Sequence, residues 1–275
     1  MLMTNVRYIA PISVLLLLCF ATPAHAADAT TDFALLADSG NYVWEEFRPR
    51  GTRIVEETGK QVGVGASWSN GRNPVGGGPV YRATALVFGG VGDYQGETYV
   101  SAGLPVSATT YFYGIKSEGI GGYRFGNRIG FELFSGIGFD VWNHTVKDAG
   151  ATLGYSRMFA MLDGKLGAGF FMGFESWGFA VRAGTRGPLY SYQHVGIYDG
   201  VEVKTVPKPT FFGAGEFTFG SHGHDTFVLS FYFDRYRLAE SDPTVVNSGG
   251  VPSGLVITTP YTKTTLMGAR LALNF

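Results

Sequence analysis

An alternation of side-chain character with a period of two runs along this chain up to its last residue. Met267, Ala269, Leu271, Leu273 and Phe275 fall on one side of the final segment; Gly268, Arg270, Ala272 and Asn274 fall on the other. Successive side chains of an extended strand point to opposite faces, so this segment offers one wholly apolar face and one of small or polar residues.

The same pattern recurs upstream. Between Thr109 and Asn143, two alternating runs flank Gly126-Asn127, a tight-turn dipeptide, and read as a hairpin. In its second arm Ile129, Phe131, Leu133, Ile137, Phe139 and Val141 share a face, opposite Arg128, Glu132 and Asp140. In the first arm Tyr111, Tyr113, Ile115, Tyr123 and Phe125 alternate against Lys116, Glu118 and Arg124. Further strands are predicted at 41–48, 61–69, 80–91, 165–174, 177–186, 210–219, 226–234 and 261–275, which makes ten. Eight strands with an amino-terminal extension, or twelve if a loop hides a hairpin, stay open. From residue 80 onward the connections alternate strictly: short near 126, 175 and 222, and long at 93–107, 144–154, 190–208 and 240–258.

The chain has 275 residues, of which 41 are Gly, 22 Phe and 15 Tyr, and only 16% are charged. A soluble domain carries about 25% charged residues. The apolar 45% is dispersed with period two rather than collected into a helix-length run, which is the composition of a membrane-spanning sheet. Lys plus Arg number 21 against 22 Asp plus Glu, a balance with nothing to attract nucleic acid.

The first 26 residues carry the three parts of a secretory signal: Arg7, an apolar run from Ile9 to Phe20, and the small-x-small site Ala24-His25-Ala26. That run is too short for the ~20 residues that span a bilayer, and Pro11 lies within it. Cleavage is expected after Ala26, leaving residues 27–275 as one domain without cysteine, since Cys19 is removed. A thiol-free chain suits passage through an oxidising compartment.

The terminal Phe275, with Met267, Ala269, Leu271 and Leu273 at alternate positions before it, resembles the closing strand of Gram-negative outer-membrane β-barrel proteins. In those proteins such a strand forms the assembly signal. The resemblance implies an all-β fold, a transmembrane antiparallel up-and-down β-barrel of about ten strands with porin-like character. It also implies short turns on the periplasmic side and long loops outside. Outer-membrane lipid, lipopolysaccharide and the barrel assembly machinery are the implied partners, with a surface ligand also open.

A charge facing lipid at the bilayer midplane costs about 2–4 kcal/mol for Arg or Lys. Charges in the spans are therefore assigned to the lumen: Arg82, Lys116, Glu118, Arg124, Arg128, Glu132, Asp140, Lys165, Arg182, Arg186, Glu216, Asp234 and Arg270. Mixed signs predict internal pairing, and a slight cationic excess permits a narrow, weakly anion-preferring pore. Tyr190, Tyr192, Tyr198, Tyr236 and Tyr261 are expected at the outer interface, and Trp177, Phe219 and Phe275 at the inner one.

No constellation compels an enzyme. His222 and His224, two apart with the Asp225 carboxylate beside them, have metal-ligand character, but a site needs at least a third ligand fixed in place, and they read as a solvated turn. His144 with Asp148, and His194 with Asp199 and Glu202, are expected in long outer loops, where barrel proteases resembling omptins hold acidic and His catalytic groups. Their motifs do not align here. The leading expectation is a non-catalytic barrel without metal or cofactor, serving envelope structure, surface interaction or limited passage of small solutes. A barrel hydrolase at the cell surface is the alternative.

Overall fold

The structure, a computed structural model, describes residues 31–70, 77–97, 104–150, 152, 154–196, 200–220 and 226–275. The expected signal segment, His222, His224, Asp225, Tyr198 and Asp199 lie outside the described residues.

Every alternating segment of the sequence forms a strand, and each pairs antiparallel with its neighbour in the chain. Seven run in order: β1 (Thr31–Phe47), β2 (Arg53–Asn70), β3 (Gly78–Glu97), β4 (Pro105–Gly126), β5 (Ile129–Val146), β6 (Tyr155–Gly173) and β7 (Trp177–Val195). The short β8 (Val201–Val203) follows, then β9 (Thr210–Phe219), β10 (Thr226–Leu238), β11 (Thr244–Ser248), β12 (Val251–Ile257) and β13 (Tyr261–Asn274). β13 pairs with β10 on one side and β1 on the other, so the ring closes through ten strands, β8, β11 and β12 standing outside it. Closure satisfies the backbone N–H and C=O groups that an open edge would leave bare in lipid.

Phe275 donates its backbone N–H to Phe33, so the first described strand and the last meet at one end of the barrel, here called the near end. Two of the turns there, between β4 and β5 and between β6 and β7, take only two and three residues. Gly126 closes the β4–β5 hairpin at φ +105°, a backbone conformation that glycine adopts without Cβ strain. Arg128 lies in this turn and is exposed, outside the lumen where its place in the alternation put it. The alternation stops at Gly126 because the chain must reverse there.

At the far end the strands run well past the predicted bounds. β6 begins at Tyr155 rather than 165, and β2 at Arg53 rather than 61. The reason is packing. In the far half, Tyr42, Trp44, Phe88, Tyr94, Phe112 and Phe159 fill the interior as a buried aromatic cluster, so apolar side chains occupy the inner face as well and the alternation loses its contrast.

Two connections carry structure of their own. The Gly249-Gly250 turn, with φ of 61° and 78°, joins β11 to β12; positive φ at both central residues matches a two-residue hairpin turn. A loop does hide a hairpin, but it adds nothing to the ring. It packs against β8 through Val195, Val201, Val203 and Val246.

The outward apolar set forms a continuous band. Val64 is 67% exposed, Leu166 66% and Phe211 66%, while inward Glu132 is 2% exposed and Arg186 2%. This inverts the arrangement of a water-soluble barrel and requires hydrocarbon around it. Among the described residues no helix is long and apolar enough to cross a membrane.

Candidate functional site: the barrel lumen

Ion pairs cross the lumen from wall to wall. In the near half, Arg82 on β3 meets Glu216 on β9 at 2.7 Å, and these strands stand on opposite sides of the ten-strand ring. Glu216 also takes Arg182 of β7 at 2.5 Å; Arg182 donates through Nε to Glu132 of β5 at 3.0 Å, and Glu132 takes Arg124 of β4 at 2.9 Å. Five side chains thus form one chain of alternating sign across the bore. Strand alternation aims each one inward, and curvature of the ring brings strands far apart in sequence within reach.

Above this layer Arg186 collects three carboxylates. It reaches Asp163 at 2.6 Å, Asp234 at 2.8 Å and Asp140 at 3.7 Å, with its guanidinium 4.0 Å over the Tyr236 ring. Tyr236 donates its hydroxyl to Asp140 at 2.8 Å. It therefore faces the lumen rather than the outer interface, because even-numbered residues of β10 point inward. Lys165 pairs with Glu118, and Arg270 with Asp38 at 3.0 Å. Lys116 lies 5.5 Å over the Tyr236 ring. Between the ties is a cavity of about 130 Å³, lined among others by Leu86, Lys116, Tyr232 and Arg270.

The far half adds a third layer. Arg157 of β6 reaches Glu46 of β1 at 2.6 Å, again between opposite strands, and Trp44 donates its indole N–H to the same carboxylate at 3.0 Å. Nearby, Glu57 takes Thr110 Oγ1 at 2.7 Å, accepts the Tyr42 hydroxyl and lies 2.7 Å from His144 Nε2. His144 sits in β5 with its ring stacked on Trp44 at 6.4 Å, not in an outer loop. The Nδ1 atom of His144 is buried without a hydrogen-bond partner. His144 does not meet Asp148, whose Oδ1 accepts the Gly154 amide at 2.6 Å. His194 lies on β7 opposite Glu202 of β8.

Sequence reasoning passed over Asp38, Glu46, Glu57, Arg157 and Asp163, all buried and all in lumen pairs. They lie outside the segments whose alternating faces are plain in the sequence. The signal that finds them is the continuation of the inner-face phase toward the far end, residue by residue. No cluster of metal-ligating residues occurs among the described residues.

On the outer surface of β13, Met267 and Leu271 are exposed, as is Phe275 just beyond its end, with Ala269 and Leu273 half-buried in the same row.

No family model matches the chain, and no curated protein matches it by sequence. Among solved structures it is similar to the outer membrane protease OmpT from Escherichia coli, at a TM-score of 0.60 and 10% identity, over 93% of this chain and 99% of that one. Fainter likenesses are to the transport unit of the autotransporter AIDA-I from Escherichia coli (TM-score 0.38, 8% identity, 95% and 96% of the two chains) and to the toluene transporter TodX of Pseudomonas putida (TM-score 0.33, 9% identity, 93% and 92%). The fold is that of the Gram-negative outer-membrane β-barrels, in a closed ten-stranded form. At 10% identity the likeness to OmpT concerns architecture and not activity.

Proposed function

We propose that this protein is an integral outer-membrane barrel with a sealed bore, a rigid platform that carries structured loops on the outer side of the cell. The near end then faces the periplasm. The observation that carries this reading is the set of ion pairs joining opposite walls, Arg82–Glu216 in the near half and Glu46–Arg157 in the far half. A permeating ion would have to part both pairs, the buried Glu46–Arg157 at about 3–5 kcal/mol when one partner is lost and the partly exposed Arg82–Glu216 at less. The aromatic cluster behind Trp44 and Phe112 adds a second obstruction. Limited solute passage is accordingly the weaker part of the sequence expectation. The β8 and β11–β12 layer at the far end supports a surface role, since its valine core holds Val245, Val251 and Val256 outward. The apolar face of β13 ending in Phe275 is proposed as the segment read by the barrel assembly machinery. Planar-bilayer recording of the purified, refolded protein is expected to show no unitary current steps; sustained ion conduction would overturn the sealed-bore reading.

A second reading rests on the His144–Glu57 contact. A carboxylate that orients an imidazole is a general-base arrangement, and this one lies toward the outer mouth with one imidazole nitrogen unused. A surface hydrolase built on it would lose turnover in His144→Ala while keeping the heat-modifiable gel migration of a folded barrel. If wild-type protein cleaves neither peptide nor ester substrates, this reading is discarded.

A further inference from the structure

The lipid-facing rows of β10 and β13 change chemistry sharply toward the far end. On β10 the outward series runs Phe227, Leu229, Phe231, Phe233 and then Arg235 and Arg237. On β13 it runs Leu271, Ala269, Met267, Thr265 and then Lys263, which stands directly opposite Arg237 in the ladder. Lys208, exposed beside them, donates its backbone N–H to the Arg237 carbonyl at 2.9 Å. Four cations therefore gather on one side of the barrel, just beyond the hydrocarbon-facing band.

The cluster is under-compensated. Lys263 has Glu45 at 2.6 Å, but neither Arg235 nor Arg237 has a carboxylate partner among the described residues. The Nε atoms of both arginines are buried without a hydrogen-bond partner, and the Arg235 guanidinium lies 5.5 Å over the Phe233 ring at the edge of the apolar zone. The lumen treats its arginines in the opposite way, surrounding each with carboxylates. Guanidinium forks match phosphate geometry and are weakly hydrated, so an apolar wall capped by unpaired arginines fits a molecule with acyl chains below and phosphate above.

We infer that Lys208, Arg235, Arg237 and Lys263 hold the phosphate-bearing headgroup of a glycolipid in the outer leaflet, its acyl chains lying along Phe211, Phe231, Phe233 and Met267. The inference rests on the membrane-inserted reading above. The site would fix a boundary lipid to one side of the barrel and so orient the platform in its leaflet.

The test uses the full chain refolded in neutral detergent, with bound lipid counted by native mass spectrometry. The probes are bisphosphorylated lipid A, its dephosphorylated form and inorganic phosphate. Wild-type protein is expected to retain the bisphosphorylated lipid, with the paired change Arg235→Gln and Arg237→Gln weakening retention about tenfold or more. Arg235→Lys with Arg237→Lys is expected to restore part of it. Equal retention by wild type and the Gln pair, or equal retention of the dephosphorylated lipid, would overturn the site. Displacement of the lipid by inorganic phosphate at comparable concentration would overturn the lipid source. Should the Gln pair fail to reach the folded gel position, Lys208→Gln, in an exposed connection, supplies the same comparison. Failure of the membrane-inserted reading would look different: the chain would be folded and monodisperse in buffer without detergent.

Discussion

A single buried arginine shows how the lumen is held. Arg186 is the common partner of Asp140, Asp163 and Asp234, and removing it leaves three inward carboxylates without their shared cation. Breaking a buried ion pair by deleting one partner typically costs about 3–5 kcal/mol, because the remaining charge keeps its desolvation penalty without compensation. Arg186→Met is therefore expected to lower unfolding stability by about that amount, read from urea titration in phospholipid vesicles. Adding Asp163→Asn should recover part of the loss. If the double change is as unstable as the sum of the two single changes, the pairing does not carry the stability assigned to it. Arg82, with 28% of its side chain exposed, should tolerate the same replacement at a smaller cost.

The strands show the same logic across a face. β13 pairs on both sides, from Thr226↔Asn274 with β10 and Ala34↔Asn274 with β1, so it closes the ring and presents Leu271 to lipid. Leu271→Arg is expected to cost about 2–4 kcal/mol in a bilayer, by the depth dependence of outward charges. Thr265→Arg, in the same outward row and nearer the mouth, should cost less. Equal costs at both positions, measured by urea unfolding in vesicles, would contradict the deeper placement of Leu271. The ten strands of the ring were legible in the sequence, and so was the phase of β4, β5 and β7, whereas the short β8, β11 and β12 were read as loop. The far ends of β2 and β6 were not legible, because inward Phe159 and Met161 erase the contrast between faces on which the reading depends. Tyr236 misled for a related reason: a tyrosine near a strand end suits an interface girdle, yet its even position in β10 turns it toward Asp140.

At the scale of the molecule, an apolar exterior around a paired, charged interior has one stable solvent. The purified chain should hold its fold in detergent or lipid, with unheated and heated samples migrating differently on gels, and aggregate when detergent is removed. A folded, monodisperse species in plain buffer would contradict the arrangement of the whole barrel. The ion-pair layers also argue for stiffness. Ties between opposite walls at Arg82–Glu216 and Glu46–Arg157 resist flattening of the ring in a way that neighbour-to-neighbour pairing does not.

The period-two pattern, read alone, determined that the chain is built of strands, roughly where most of them lie and on which face most charges sit, because these follow from local geometry: a strand alternates, and lipid rejects charge; the closed barrel came from the resemblance carried by the terminal strand. What it left open is who meets whom across the bore. The contacts of Arg82 with Glu216, of Arg157 with Glu46, and of Glu57 with His144 join residues 134, 111 and 87 positions apart. Those distances are set by the curvature and register of a closed ring, which no single segment contains. The tertiary structure alone therefore decided that the lumen is bridged, and it also brought Arg235, Arg237, Lys208 and Lys263 together from separate strands and a connection into one cationic patch.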